Sequence, residues 1–149
     1  PTTALDVTIQ AQILSEVQKL AHMHGTALIW ITHDLSVVAG LADEVAVMYA
    51  GRIVEHGPVD AVLDAPLHPY TMGLIDSLPS ENRRGQRLRQ IPGMTPNLLS
   101  LPAGCAFAAR CPRASDVCGV APEITQPLPG RLVRCFHPGA QRASSREVA

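Results

Sequence analysis

Four cysteines lie in the last third of the chain, at Cys105, Cys111, Cys118 and Cys135, and the first two thirds contain none. Thiolates bind zinc and iron–sulfur clusters, and neighbouring thiols can also pair as disulfides. Residues 92–138 contain eight prolines and only two aromatic residues. This composition predicts a segment without long helices, central strands or a hydrophobic core of its own. A bound metal centre would supply the missing stability.

The spacing of the cysteines, C-x5-C-x6-C-x16-C, leaves the kind of centre open. Structural zinc sites usually contain a C-x2-C pair, and this chain has none. An iron–sulfur cluster is larger than one ion, so its cysteines can reach it from longer loops. Cys111 precedes a proline, as cluster cysteines sometimes do. Four arginines could offset the charge of a thiolate-bound cluster: Arg110, Arg113, Arg131 and Arg134. On spacing alone, zinc and iron–sulfur remain equal alternatives, with disulfides or free thiols as a third.

Charge divides the chain into two parts. Residues 1–80 contain nine acidic and two basic residues, whereas residues 81–149 contain four acidic and ten basic residues. The basic stretch after residue 80 is interpreted as a solvated linker rather than a nucleic-acid site, because no aromatic residue or recognition helix accompanies it. We predict four segments: a domain at 1–79, a basic linker at 80–91, a Cys-rich domain at 92–138 and a flexible tail at 139–149.

The beginning of the chain gives an expectation about the cellular compartment. The sequence opens on Pro1 without a leader, and no apolar run reaches the roughly 18 residues of a membrane span. We therefore expect an intracellular protein in which thiols stay reduced, which favours a metal centre over disulfides. Since "PTTALD" looks like a motif cut in half, we expect the chain to be a fragment.

Helical and strand patterns alternate in the first eighty residues, which is typical of an α/β fold. Apolar residues at three- and four-residue steps predict a helix that ends at Gly25, with Asp6 or Thr8 as its N-cap. The short branched segment 26–32 predicts a strand buried on both faces, as in a parallel sheet. His33 follows this strand directly.

A second group of elements is expected after His33. Asp34 should cap a short helix, and strands at 44–49 and 52–56 should form a hairpin that turns at 50–51. Two short helices are predicted next, one with Pro58 at its first position and one within "HPYTMGLIDSLP".

The other histidines receive structural interpretations. We expect His22 and His24 to face solvent at the end of a helix, and His56 to be structural at the end of a strand. His68 should cap the helix that begins at Pro69. His137 is a spare ligand candidate but, with four cysteines available, is expected to pack or to be solvated.

Two segments taken together resemble an ABC-type ATPase. "PTTALD" is similar to the D-loop after the Walker B strand, and "IWITHDLSVVAGLADEVAVMYAGRIVEHG" is similar to the switch-histidine segment and terminal hairpin. "LHPYTMGLIDSLP" and the cysteine tail resemble, more narrowly, the ATP-binding subunits of dipeptide and oligopeptide ABC importers. The resemblance extends to about Pro138. It implies the C-terminal portion of an ABC-type ATPase domain, followed by a small irregular Cys/Pro-rich domain.

The resemblance assigns roles to particular residues. His33 would donate a hydrogen bond to the γ-phosphate of ATP and orient the attacking water. Asp6, in a turn shaped by Ala4 and Leu5, would face the phosphate loop of a partner subunit across the dimer interface. The four cysteines would hold a [4Fe–4S] cluster, with Zn²⁺ as the alternative. The cluster is expected to have a structural role, cross-linking the tail.

The resemblance also implies what this chain lacks. No Walker A pattern G-x-x-x-x-G-K-[ST] occurs in it, and the signature motif and the Walker B carboxylates that would hold Mg²⁺ are absent. Phosphoryl transfer depends on positioning and charge stabilisation around the phosphate. We therefore expect ATPase activity, with ATP and Mg²⁺, from the full-length protein and none from this chain alone.

The implied function is ATP hydrolysis that powers import of di- or oligopeptides. The expected partners are a second ATP-binding subunit, identical or related, the permease subunits and, indirectly, a substrate-binding protein, but no nucleic acid. The expected location is peripheral, at the cytoplasmic face of the membrane. The alternative is a free-standing metal-binding regulatory or interaction module without a nucleotide role.

Overall fold

The computed structural model describes residues 7–82, 85 and 87–139. The chain divides into two compact units, residues 1–42 and 43–149, and each is considered by itself. The helices are α1 (Val7–His24), α2 (Leu35–Leu41), α3 (Val59–Asp64) and α4 (Pro69–Asp76). The strands are β1 (Glu44–Tyr49), β2 (Arg52–Pro58), β3 (Thr125–Leu128) and β4 (Arg131–Val133), and short 3-10 helices occupy Pro79–Glu81, Ala108–Arg110 and Asp116–Gly119.

The first helix ends where the sequence predicted. Gly25 adopts a φ of +61°, and the N–H of Thr26 donates to the carbonyl of Ala21 at 2.9 Å. This left-handed glycine satisfies carbonyls that the last turn would leave free. Because α1 begins at Val7, Thr8 lies inside its first turn, and the alternative cap, Asp6, lies outside the described residues.

The strand predicted at 26–32 is wrong for this structure. No strand is formed there, and the side chains of Ile29 and Ile31 are each 93% exposed. A strand is held by hydrogen bonds to a neighbour, and none of the four described strands pairs with this segment. The apolar pattern therefore has no sheet in which to be buried. The short helix that follows is confirmed as α2, with the carbonyl of Asp34 accepting from Val38 N–H at 3.4 Å.

The predicted hairpin is confirmed in the second unit. β1 pairs antiparallel with β2, from Glu44 opposite Pro58 to Tyr49 opposite Arg52. Ala50 and Gly51 form the turn with φ values of +48° and +76°. Positive φ at both central residues is the geometry that matches the twist of a tight hairpin.

The proline-rich tail builds strands that we did not predict. The four-stranded sheet has the order β1-β2-β4-β3, so β4 lies centrally and its Val133 pairs with Glu55 of β2. The prolines fall where a sheet tolerates them. Pro127 lies in the edge strand β3 and Pro129 in the turn that follows, whereas β4 contains none. The expectation that this segment contains no central strand is therefore wrong.

The tail also shares a hydrophobic core with the hairpin. The fully buried cluster consists of Val47, Tyr49, Val54, Val62 and Phe107. Phe107, which is 2% exposed, comes from the cysteine-rich segment. Its ring lies 5.2 Å from that of Tyr49 in an edge-to-face arrangement. The tail was expected to need a metal in place of a core, but it packs against the hairpin. The predicted boundaries at 79, 91 and 138 stay predictions.

Candidate functional site

Two of the four cysteines are joined through their backbones. The N–H of Cys105 donates to the carbonyl of Cys118 at 2.9 Å. Gly104, immediately before, has a φ of +84°, and a Cβ there would lie 2.5 Å from the same carbonyl oxygen. Only glycine allows this approach, because any side chain would overlap the backbone of the facing loop. Gly104 therefore sets the distance between the loops that carry Cys105 and Cys118.

The four thiols are free and lie in one electrostatic neighbourhood. The Sγ of Cys111 accepts the N–H of Arg113 at 3.4 Å, and the Sγ of Cys135 accepts that of His137 at 3.3 Å. Burial raises the pKa of the Cys135 thiol, and the closeness of the other three thiols raises it further. The pKa of Cys111 is raised in the same way, first by burial. Cys111 and Cys135 are therefore held in the neutral thiol form more strongly than ordinary cysteines.

The structure does not select a metal centre for these thiols. Within the described residues, which include all four cysteines, no group of three or more His, Cys, Asp or Glu side chains is placed to hold a metal ion. The assignment of the cysteines as ligands, and the choice between a cluster and zinc, therefore stay predictions.

The arginines expected to offset a cluster's charge are mostly used elsewhere. Arg110 donates to the carbonyls of Ile91 and Pro92, and Arg134 donates to those of Ile53 and Pro122. These side chains fasten loops to the hairpin. Of the four arginines, only Arg113 is identified beside a thiol, where its backbone N–H and its charge partly offset the burial that raises the pKa of Cys111.

Arg131 forms a buried ion pair that sequence reasoning missed. Its Nη2 lies 2.7 Å from the Oε1 of Glu55, and both side chains are almost fully buried. Glu55 also accepts the N–H groups of Leu67 and His68 at 2.7 and 2.8 Å. The carboxylate therefore joins β2, β4 and the loop before α4. The available signal was an acidic residue directly after the apolar pair Ile53 and Val54 in a predicted strand.

His68 caps α4 as predicted. Its Nδ1 accepts the N–H of Tyr70 at 3.0 Å, and Pro69 occupies the first position of the helix. The side chain is 1% exposed, and burial lowers its pKa to about 4. The imidazole is therefore neutral at pH 7. Since Nδ1 is the acceptor, the ring proton is on Nε2.

His33, the predicted catalytic histidine, is exposed in the bend before α2. The strand that was expected to fix its backbone is not formed, so its proposed contact with a nucleotide stays a prediction. Asp6, Ala4 and Leu5 lie outside the described residues. His33 and the cysteines belong to different units, so they are treated as separate candidate sites.

The remaining histidines are accounted for by structure. His22 and His24 are exposed, as predicted. The Nε2 of His56 lies 3.4 Å from a carboxylate oxygen of Glu44, and that of His137 lies 2.7 Å from the Oγ of Ser115.

In the part of the chain that the structure describes, no helix is long and apolar enough to cross a membrane.

Comparison with known proteins identifies the region that contains these features. Residues 54–118 match the family described as "Oligopeptide/dipeptide transporter, C-terminal region". The match includes the buried Glu55, the His68 cap and three of the four cysteines. Over these residues the chain is therefore similar to the C-terminal region of oligopeptide/dipeptide transporter proteins. Cys135 and His33 lie outside the matched residues.

Individual relatives match more of the chain than the family does. The oligopeptide transport ATP-binding protein OppD of Escherichia coli is 51% identical over 138 residues, which cover 93% of this chain and 41% of that protein. OppD of Haemophilus influenzae is 48% identical over 136 residues, 91% of this chain and 42% of that protein. AppD of Bacillus subtilis is 48% identical over 137 residues, which cover 91% of this chain and 42% of that protein. The chain thus spans about two fifths of each of these relatives. These findings support the predicted importer type, not the free-standing metal-binding module.

Proposed function

We propose that this chain is the C-terminal part of a subunit that hydrolyses ATP to power import of di- or oligopeptides. The observation that supports this most is the identity of about one half with oligopeptide transport ATP-binding proteins over nine tenths of the chain. The complete subunit would bind ATP and Mg²⁺ through segments that do not occur in this sequence.

His33 is the proposed catalytic residue of this chain. Its imidazole would donate a hydrogen bond to a γ-phosphate oxygen and hold the attacking water in line. Its exposure leaves the ring free to reach a nucleotide held by other residues. Asp6 would act at the dimer interface, where a carboxylate in a turn can meet the partner's phosphate loop.

The proposed partners are a second ATP-binding subunit, identical or related, and the permease subunits, with a substrate-binding protein acting indirectly. Attachment to the permease would place the protein at the cytoplasmic face of the membrane. Closure of the ATPase dimer over ATP and its reopening after hydrolysis would transmit the energy to the permease.

We further propose that Cys105, Cys111, Cys118 and Cys135 hold a [4Fe–4S] cluster. The support is their common neighbourhood, their free thiols, and the backbone N–H groups donated to two of the sulfurs. When bound, the cluster would supply cross-links between the loops of the tail and, in this proposal, no redox step. Gly104 would help by setting the loop spacing, and Arg113 by limiting the rise in the pKa of Cys111.

The catalytic proposal is tested by His33→Ala in the complete subunit. Loss of one transition-state hydrogen-bond donor should reduce turnover by on the order of 10²–10³-fold while leaving ATP binding intact. His24→Ala, another exposed histidine, serves as the matched control and should hydrolyse ATP like the wild type. Normal turnover in the His33 variant would remove this residue from the mechanism.

The cluster proposal is tested by analysis of anaerobically purified protein. Iron and acid-labile sulfide should be present in equal amounts, with broad absorption near roughly 400 nm. Each cysteine-to-serine variant should lose both, whereas Ser115→Ala should keep them. A stoichiometric amount of zinc without iron would show that the cysteines hold zinc instead of a cluster. Protein without any metal would refute the proposal of a metal centre.

A further inference from the structure

A small cavity lies between the hairpin turn and the loops of the tail. Its volume is about 70 Å³, and its walls are mostly apolar, including Tyr49, Val54, Leu101, Phe107 and Pro122. A cavity that stays dry and binds benzene has about 150 Å³. This one has room for a branched alkyl group or a few waters.

One hydrogen-bond donor in the cavity wall has no partner among the described residues. His68 lines the cavity, and its Nδ1 already accepts the Tyr70 N–H. The proton on Nε2 has no hydrogen-bond acceptor among the described residues. The ring is therefore prepared to donate to an acceptor that enters the cavity.

Two cations line the same cavity. Arg134 is held in place by the carbonyls of Ile53 and Pro122, and its Nη1 lies 3.9 Å from a carboxylate oxygen of the exposed Glu123, which an incoming carboxylate would have to displace. Arg52 is exposed and forms no hydrogen bond or ion pair with any described residue. An apolar chamber with a neutral N–H donor and two guanidinium groups is suited to a carboxylate, since guanidinium groups bind carboxylates through charge-assisted hydrogen bonds.

We infer that this cavity binds a terminal carboxylate that carries a small branched apolar group. The alkyl group would fill the chamber between Phe107 and Val54, and the carboxylate would meet Arg52, Arg134 and the Nε2–H of His68. The ligand is either a free short-chain acid or the C-terminal residue of a peptide. Binding does not require a nucleotide, so the inference is independent of ATP hydrolysis.

The direct test is an NMR titration of the 149-residue chain with isovalerate. Amide signals of Ala50, Val54, Cys105 and Ala106 should shift, with a dissociation constant on the order of millimolar for so small a ligand. Isoamyl alcohol, which has the same alkyl group without the charge, should bind at least about tenfold more weakly. Equal binding of the alcohol, or shifts elsewhere in the chain, would overturn the inference.

The source of the carboxylate is distinguished by a peptide pair. Gly-Gly-Val with a free C-terminus should shift the same amides if the natural ligand is a peptide terminus, and its C-terminal amide should not. Binding of isovalerate but not of the free peptide identifies a small acid. Failure of both free carboxylates to bind refutes the site.

Matched variants locate the site. Ala121→Leu fills the chamber and should abolish isovalerate binding, whereas Ala109→Leu, at an exposed alanine outside it, should not. Arg52→Gln should weaken binding about tenfold without affecting the fold, and Arg87→Gln, an exposed arginine elsewhere, should leave it unchanged. If Ala121→Leu fails to fold, the arginine pair decides. Wild-type affinity in Arg52→Gln would overturn the inference.

Discussion

At the scale of single residues, the second unit depends on polar groups that a hydrophobic pattern does not reveal. Glu55 satisfies two backbone N–H groups and pairs with Arg131. Removing one partner of such a pair would leave a buried charge uncompensated, which is strongly destabilising. His68 belongs to the same group, because its backbone N–H donates to Glu55 while its ring caps α4.

We predict that His68 makes the stability of the second unit depend on pH. Its pKa is about 4 in the folded chain and about 6.5 when unfolded. Between these values the unfolded state binds a proton that the folded state does not. The free energy of unfolding should therefore be highest above pH 6.5 and fall by up to about 3 kcal/mol as the pH drops to 4.

Urea unfolding at pH 7 and pH 4.5 measures this effect in the wild type and in His68→Asn. Asparagine can keep the helix cap but does not titrate, so the variant should lose less stability on acidification. The other histidines and the carboxylates contribute equally to both proteins. The same pH dependence in the variant would show that another group is responsible.

At the scale of elements, sequence patterns correctly predicted the features that depend on residues close together in the chain. The end of α1 at Gly25, the hairpin turn at Ala50 and Gly51, and the His68 cap all depend on residues close in sequence. The strand predicted at 26–32 did not form, because a strand needs a hydrogen-bonded neighbour that the residues of this segment do not supply. β4 was missed because its pairing with β2 joins residues more than seventy positions apart.

We predict that Gly104 determines the geometry of the cysteine loops. Gly104→Ala would require a φ of +84° and place Cβ 2.5 Å from the Cys118 carbonyl, so it should destabilise the tail by about 2 kcal/mol or more. Gly119→Ala is the control, because a Cβ there meets no atom within 4 Å. Thermal unfolding and iron content of the two variants compare these outcomes. Equal stability and metal content would mean that the close approach is not required.

At the scale of the whole molecule, the structure groups the tail with the hairpin. The shared sheet, the placement of Phe107 in the hairpin core and the Arg131 pair all join residues on the two sides of position 79. The domain boundary suggested by charge and proline content lies within this unit. Charge and proline content reflect the solvent-facing surface and the loops, whereas the extent of the compact unit is set by its buried contacts.

We therefore predict that the hairpin and the tail unfold together. Val62 in α3 is fully buried, and Val62→Ala should cost about 2 kcal/mol. In one cooperative unit, this loss should appear at every amide that exchanges by global opening. The Arg134 N–H donates to Val54 of the hairpin, and the Cys105 N–H donates to Cys118 within the tail. Hydrogen exchange at both should speed up by roughly 30-fold. Ile29→Ala, at a 93% exposed site in the other unit, should leave both amides unchanged. If Val62→Ala accelerates exchange in the hairpin but not at Cys105, the tail is a separate domain and the boundary near residue 79 is correct.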